Sequence, residues 1–396
     1  MLTETPVPSN GQQAANPSKG RFFTNQTYHY ETLRALGYIP AGGAETGEVL
    51  ETVKLISEGD SQSWYTAWTA TAARVLAQAE RTEDRMSKGG AYLRAHNYQR
   101  TGEFLLPPDD PKRAESWDKT LAYFYSGLDA LGVRYERLTV RYGEASLRAL
   151  YLPGSVAGPL VVVVGGFDSI LEELYLVLGK ATLDRGFSVL LYEGPGQGEA
   201  LRKYGLRFTP EWERPTAAVL DAFLSTHPKP ASIVIIGMSM GGYFAPRAAA
   251  FEPRIDGVVA FDTAFDVAEI SGRVLTAAGN PMTARLPDVM WGYDNARWTM
   301  GTENLPATTQ AFASYTLAPV AGRITQHVLI LAGIDDHFIP FHQAADFEKA
   351  LVNARSVTTR IFDRASGGAE HCQAGALTLV YAALFDWLRA TFVKKR

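Results

Sequence analysis

The chain has 396 residues, more than one compact core usually holds, so a large domain with a smaller companion is expected. Its 46% apolar and 20% charged residues are the balance of a globular protein, and a net charge of −4 gives no reason to expect nucleic acid or an anionic membrane as partner. With Cys372 as its single cysteine, the chain excludes an internal disulfide and a thiolate metal site.

Residues 1–20 are rich in Pro, Asn, Gln and Gly and lack the basic-then-apolar order of a signal peptide, so they read as a disordered tail. Apolar runs such as 160–164 and 233–236 are too short to span a bilayer, and a reduced, cytoplasmic setting is the expectation. Residues 21–133 read as a helical N-terminal module. Trp64, Trp68, Ala72, Val75, Leu76 and Ala79 recur at helical spacing. Ser116, Trp117 and Asp118 open a further helix that carries Leu121, Phe124, Tyr125 and Leu128 on one face. Asp109-Asp110-Pro111 is a turn between them, and no strand pattern precedes Tyr135.

The texture then changes. Segments 135–142 and 145–152 alternate around Gly143 as an antiparallel hairpin. Strands are expected at 160–164, 187–192, 233–236, 258–261, 328–331 and 359–362, with helices at 174–183, 215–224 and 243–250. Continuous Val/Ile/Leu strands alternating with helices predict an α/β domain over 134–396, its mostly parallel sheet covered on both faces. A Trp- and Met-containing stretch at about 266–319 interrupts this rhythm as a cap-like insertion.

Gly237-Met238-Ser239-Met240-Gly241 follows an apolar strand and precedes a helix. A serine hydroxyl is a weak nucleophile that must stand exposed beside a base, and a tight strand-to-helix turn flanked by glycines provides that exposure. The bland alternative, a Gly-rich turn with an incidental serine, fits this context less well, so Ser239 is assigned as nucleophile on an α/β-hydrolase fold. That fold orders its partners as serine, acid, histidine. After strand 328–331 comes Gly333-Ile334-Asp335-Asp336-His337-Phe338-Ile339-Pro340, where Asp336 has the preferred spacing for the acid. Asp335 is then a solvated neighbour, and Asp262, after the preceding strand, is an outside alternative. His371, on the loop after the last strand, is the expected base, with His337 and His342 at most in supporting positions. Cys372 reads as a small buried residue.

An oxyanion hole needs two N–H groups aimed at the developing charge. Met240 supplies one and Phe167, after Gly165-Gly166, the other. Asp168 faces the same site, either as a neutral acid donating a proton or hydrogen bond, or as a cap for the following helix.

Gly165-Gly166-Phe167-Asp168-Ser169 with Glu172-Glu173, the string Tyr192-Glu193-Gly194-Pro195-Gly196-Gln197-Gly198-Glu199, Glu252-Pro253-Arg254 and Glu370-His371-Cys372 resemble one branch of this fold. It holds bacterial 2,6-dihydroxypseudooxynicotine hydrolase and the fungal yellowish-green pigment hydrolases that shorten polyketides. The resemblance runs from about Ser57 to the C-terminus. It implies hydrolysis of a carbon–carbon bond beside a ketone by Ser239, Asp336 and His371, through an acyl-enzyme, without metal or cofactor. It also implies a homodimer joined through the helical module. Asp168 matches an active-site glutamate of the bacterial enzyme and is one methylene shorter. Trp64, Trp68, Trp291 and Trp298 are candidates to roof the substrate site, core packing being an equal reading for each. The rival readings are an esterase, thioesterase or lactone-forming acyltransferase on a polyketide-type substrate and, from another class, a non-hydrolytic cyclase or binding protein on the same scaffold.

Overall fold

The computed structural model describes residues 21–393, so the tail expected over 1–20 lies outside the described residues. The first elements are five helices: α1 (Gln26–Gly37), α2 (Thr46–Val53), α3 (Ser61–Arg81), α4 (Arg85–Glu103) and α5 (Lys112–Leu131). Side chains at the helix starts account for the boundaries. Asn25 accepts from Thr27 and Tyr28 N–H, Asp60 from Gln62, and Asp84 from Ser87. The apolar stripe of α3 faces α4, and Trp64, Trp68, Ala72 and Val75 join Tyr28, Ala91, Ala95 and Tyr98 in a core of their own.

The eight strands are β1 (Glu136–Tyr142), β2 (Ala145–Leu152), β3 (Leu160–Val164), β4 (Val189–Tyr192), β5 (Ile233–Met238), β6 (Gly257–Phe261), β7 (His327–Gly333) and β8 (Ser356–Phe362). They form one sheet in the order β1-β2-β4-β3-β5-β6-β7-β8. The hairpin β1–β2 and the pair β2–β4 are antiparallel, and all other pairs are parallel. Strands β3 to β6 are buried along their whole length, as helices on both faces require. The helix after β3 departs from the expected 174–183. It begins at Leu171 and passes through a π turn at Tyr175–Gly179 before ending at Leu183.

Register decides where the chemistry gathers. Val164 pairs with Gly237, Met238 with Phe261, and Phe261 with Leu331, so the chain leaves β3, β5, β6 and β7 at one carboxyl edge of the sheet. Above that edge lie three helices between β6 and β7: Val267–Ala278, Pro287–Met300 and Leu305–Phe312. Trp291 of the second stacks on Phe104 at 4.4 Å, closing the gap to the N-terminal helices. No described helix is long and apolar enough to cross a membrane.

Candidate active site

Ser239 stands at the turn from β5 into the helix Gly241–Ala249 with φ of 60°, a conformation rare outside glycine. Its N–H donates to the Phe261 carbonyl at 2.6 Å, tying the turn to the neighbouring strand end. The chain doubles back so closely that a Cβ on Gly237 would lie 1.8 Å from the Gly241 carbonyl oxygen.

The hydroxyl of Ser239 lies 2.9 Å from His371 Nε2, and His371 Nδ1 lies 2.6 Å from Asp336 Oδ2. The other oxygen of Asp336 accepts from the N–H groups of Phe338 and Ile339, both at 2.8 Å, which fixes the carboxylate. Burial opposes a charge on His371, but the adjacent Asp336 outweighs it and lifts the imidazole well above its ordinary value. Asp336 is shifted the opposite way: burial raises it, and the histidine charge and hydrogen bonds bring it below the usual carboxylate range.

Asp262 comes within 3.7 Å of the same Nδ1. Its oxygens are engaged elsewhere, accepting from Cys372 N–H at 2.6 Å and Gln373 Nε2 at 3.0 Å. Those two residues have φ of 48° and 44°, so Asp262 holds the unusual turn that carries the histidine. From the other side, Tyr30 of α1 donates its hydroxyl to the His371 carbonyl at 3.2 Å. Asp262, His371 and Cys372 also form a group close enough to share a cation. The histidine nitrogens and the carboxylate oxygens already have partners there, so the donor set does not fit a resident metal.

Beside the serine, the N–H groups of Met240 and Phe167 have no acceptor among the described residues. The loop after β3 is pressed onto the turn, and a Cβ on Gly166 would meet Ser239 Cβ at 2.7 Å and Met240 N at 2.9 Å. Gln197 clamps this loop from behind, its Nε2 donating to the carbonyls of Gly165 at 2.9 Å and Gly166 at 2.8 Å. Two free N–H groups beside an exposed hydroxyl are the arrangement that accepts a developing oxyanion.

Ser239, His371 and Phe167 open on a cavity of about 140 Å³. Val267, Ile270, Val274, Leu275 and Phe312 give it an apolar wall, α1 supplies Tyr30, Glu31 and Arg34, and Tyr38 follows just after that helix. A cavity of this kind, apolar with a few convergent polar groups, suits a small organic substrate.

Residues 160–374 match the Alpha/beta hydrolase family. The chain belongs to that family. Among its relatives, Hydrolase acrC of Aspergillus aculeatus is 33% identical over 95% of this chain and 99% of its own. The 20-hydroxy-prefusarin hydrolase FUS2 of Gibberella moniliformis is 31% identical over 95% of this chain and 99% of its own. Among solved structures, 2,6-dihydroxy-pseudo-oxynicotine hydrolase superposes with a TM-score of 0.70 at 21% identity, covering 89% of this chain and 94% of that one. The likeness at that identity is one of fold.

Within this hydrolase the structure brings together Ser239, His371, Asp336, Met240, Phe167, Asp168 and Trp291 around one cavity or at its edge. Asp335 instead pairs with Arg364 at the surface, and His342 pairs with Glu269. Trp64 does not reach the cavity. It is fully buried against Tyr28 and Trp68, with its Nε1 donating to the Thr101 carbonyl at 2.7 Å, because its face of α3 turns toward α4. Trp68 shares that core. Trp298 lines a separate, neighbouring cavity.

Asp168 requires a correction. It is neither a neutral acid nor a helix cap, since the helix that follows has Ile170 at its cap position with no side-chain bond. Its Oδ2 accepts from Arg34 at 2.8 Å and Arg100 at 2.6 Å. Burial raises the group, but the two guanidiniums dominate and hold it below the usual carboxylate range. Tyr30, Arg34 and Gln197 were missed from sequence. Gln197 lay in plain view within Gly194-Pro195-Gly196-Gln197-Gly198, where a string of glycines around one amide could have suggested a backbone clamp; Tyr30 and Arg34 carried no comparable signal.

Proposed function

We propose that the protein is a serine hydrolase that cleaves a carbon–carbon bond beside a ketone in a polyketide-like or aryl-diketone substrate. The observation that carries this reading is the unbroken hydrogen-bonded chain Ser239–His371–Asp336, set beside two free N–H groups at the mouth of an apolar cavity. Ser239 Oγ attacks the ketone carbon as its proton passes to His371 Nε2, and the Phe167 and Met240 N–H groups hold the oxyanion. The carbon–carbon bond breaks, and the departing enolate takes the proton from His371. Water, deprotonated by the same nitrogen, then attacks the acyl-enzyme, and His371 returns that proton to Ser239 Oγ as the acyl–oxygen bond breaks and the carboxylic acid leaves. Residues 134–396 act as the catalytic domain, roofed by the helical module over 21–133 and the insertion at about 266–319. The choice of bond rests on the resemblance carried by the motifs at 165–169 and 192–199.

One observation favours a second reading as esterase, thioesterase or lactone-forming acyltransferase. Asp168 is held as a carboxylate, which leaves His371 as the proton donor facing the leaving group. An alcohol or thiolate leaving group asks less of that donor than a carbanion does. Paired probes separate the two: purified protein is offered a β-diketone and an ester of matched size. Cleavage of the diketone supports the first reading, whereas ester turnover with the diketone untouched sinks it. A homodimer joined through the helical module, working in the cytoplasm, completes the proposal. Sedimentation velocity showing only monomer at micromolar concentration would remove the dimer from it.

A further inference from the structure

Next to the first cavity lies a second of about 40 Å³, and Phe167, Asp168, Ser169 and Trp291 line both. That volume holds a few waters or one small polar group, not a whole substrate. Three arginines line it: Arg100, Arg113 and Arg202. Arg100 is matched by Asp168 and Glu31. Arg113 and Arg202 both lean on one oxygen of Glu103, so two guanidiniums share a single carboxylate. The guanidinium of Arg202 lies over the rings of Trp117 and Trp298, 4.6 and 5.4 Å from their centroids, and these contacts favour its charge.

Buried donors here lack acceptors among the described residues. Arg113 Nε and Asn295 Nδ2 have no partner, although Arg113 is 9% and Asn295 6% exposed. Burial lowers Arg113 to about 10, with Glu103 opposing it, the response of a cation short of negative charge. Gly196, Gln197 and Gly198 supply the facing wall.

We propose that this second cavity is an anion site that takes a carboxylate, held by Arg113, Arg202 and Asn295. The carboxylate belongs either to the far end of the substrate whose carbonyl meets Ser239, a case that rests on the serine-hydrolase reading, or to a free small acid.

The test uses the full chain in two arms. In the first, thermal unfolding is followed with rising acetate or succinate, chloride holding ionic strength constant. A saturable rise in Tm is expected, absent in Asn295→Asp and Arg202→Gln. Asn295→Asp supplies the missing carboxylate from within and should itself melt above the parent protein. In the second, 4-nitrophenyl esters of dicarboxylic acids are compared as free acids and as methyl-capped neutral forms over several chain lengths. If the anion is the substrate's own, the free acid is favoured at least tenfold in kcat/KM at one length, and Asn295→Asp erases that preference while sparing the neutral ester. If it is a free acid, the first arm saturates and the second shows no preference. No saturable stabilisation and no preference overturns the site. Failure of the serine-hydrolase reading looks different, because neither form of ester is then turned over whatever the first arm shows.

Discussion

Gln197 donates its side-chain amide to the carbonyl of Gly166 at 2.8 Å, one residue before the N–H that faces the serine. The same nitrogen reaches Gly165, and its carbonyl oxygen accepts from Gly194 N–H at 3.0 Å. Every polar atom of this amide is therefore spent on holding backbone. Gln197→Leu frees the loop and lets the Phe167 N–H drift. Loss of an oxyanion donor costs about 10²–10³-fold in rate, and a loosened one should lie at the lower end of that range. Steady-state kinetics on an activated ester should show kcat falling with KM little changed; a change confined to KM would assign Gln197 to substrate binding instead.

Two aspartates approach His371 Nδ1, at 2.6 Å for Asp336 and 3.7 Å for Asp262. Asp336→Asn should lower kcat by about 10⁴-fold, and Asp262→Asn by far less, since Asp262 serves the turn through Cys372 and Gln373. Because Asp336 raises the histidine above its ordinary value, kcat/KM should climb with pH through a limb displaced upward. In Asp336→Asn that limb should move to lower pH. Equal losses in the two variants would refute the assignment of the acid.

Asp168 compensates two buried guanidiniums, so its loss should be felt first in stability. Arg34 and Arg100 keep Glu31 and Glu173 as partners, so Asp168→Asn should cost about 1.5–3 kcal/mol in chemical denaturation, the loss of charge-assisted hydrogen bonds rather than a stranded charge. Its pH–rate profile should keep the shape of the parent's. Disappearance of one limb of the profile would mean that this carboxyl moves protons after all.

His337 packs 4.0 Å from Phe338 and 4.7 Å from Tyr30; neither ring nitrogen has a hydrogen bond among the described residues, and Glu370 comes no nearer than 3.9 Å to Nδ1. Burial, reinforced by the charge of His371, lowers it from 6.5 to about 3. The unfolded chain therefore binds a proton over this interval while the folded one does not. Stability should fall as pH drops from 6.5 toward 3, on the order of a few kcal/mol in total. His337→Leu should flatten that acid limb when urea midpoints are compared from pH 7 to pH 4. An unchanged slope would show that the ring is charged or hydrated in the folded state.

What could be read from the sequence was what lies close to a strand end. Ser239, Asp336 and His371 each follow a recognisable element, and parallel register brings those ends to one edge. Relationships set by packing were not legible. The partners of Asp168 sit 134 and 68 residues away, on helices whose docking no local pattern encodes. Trp64 illustrates the same limit, since spacing places it on a face of α3 but not on the side the cavity occupies. The break between α3 and α4 was also hidden, because the run of helix formers continues and only Asp84 marks the new start.

The account stands or falls on Ser239 as nucleophile. The most direct measurement is intact-mass and peptide mass spectrometry after treatment with a fluorophosphonate, with turnover of an activated ester followed in parallel. One adduct on the peptide that contains Ser239 and loss of turnover in step with labelling are predicted, with Ser239→Ala unlabelled and inactive. Labelling elsewhere, or full turnover by Ser239→Ala, would contradict the account.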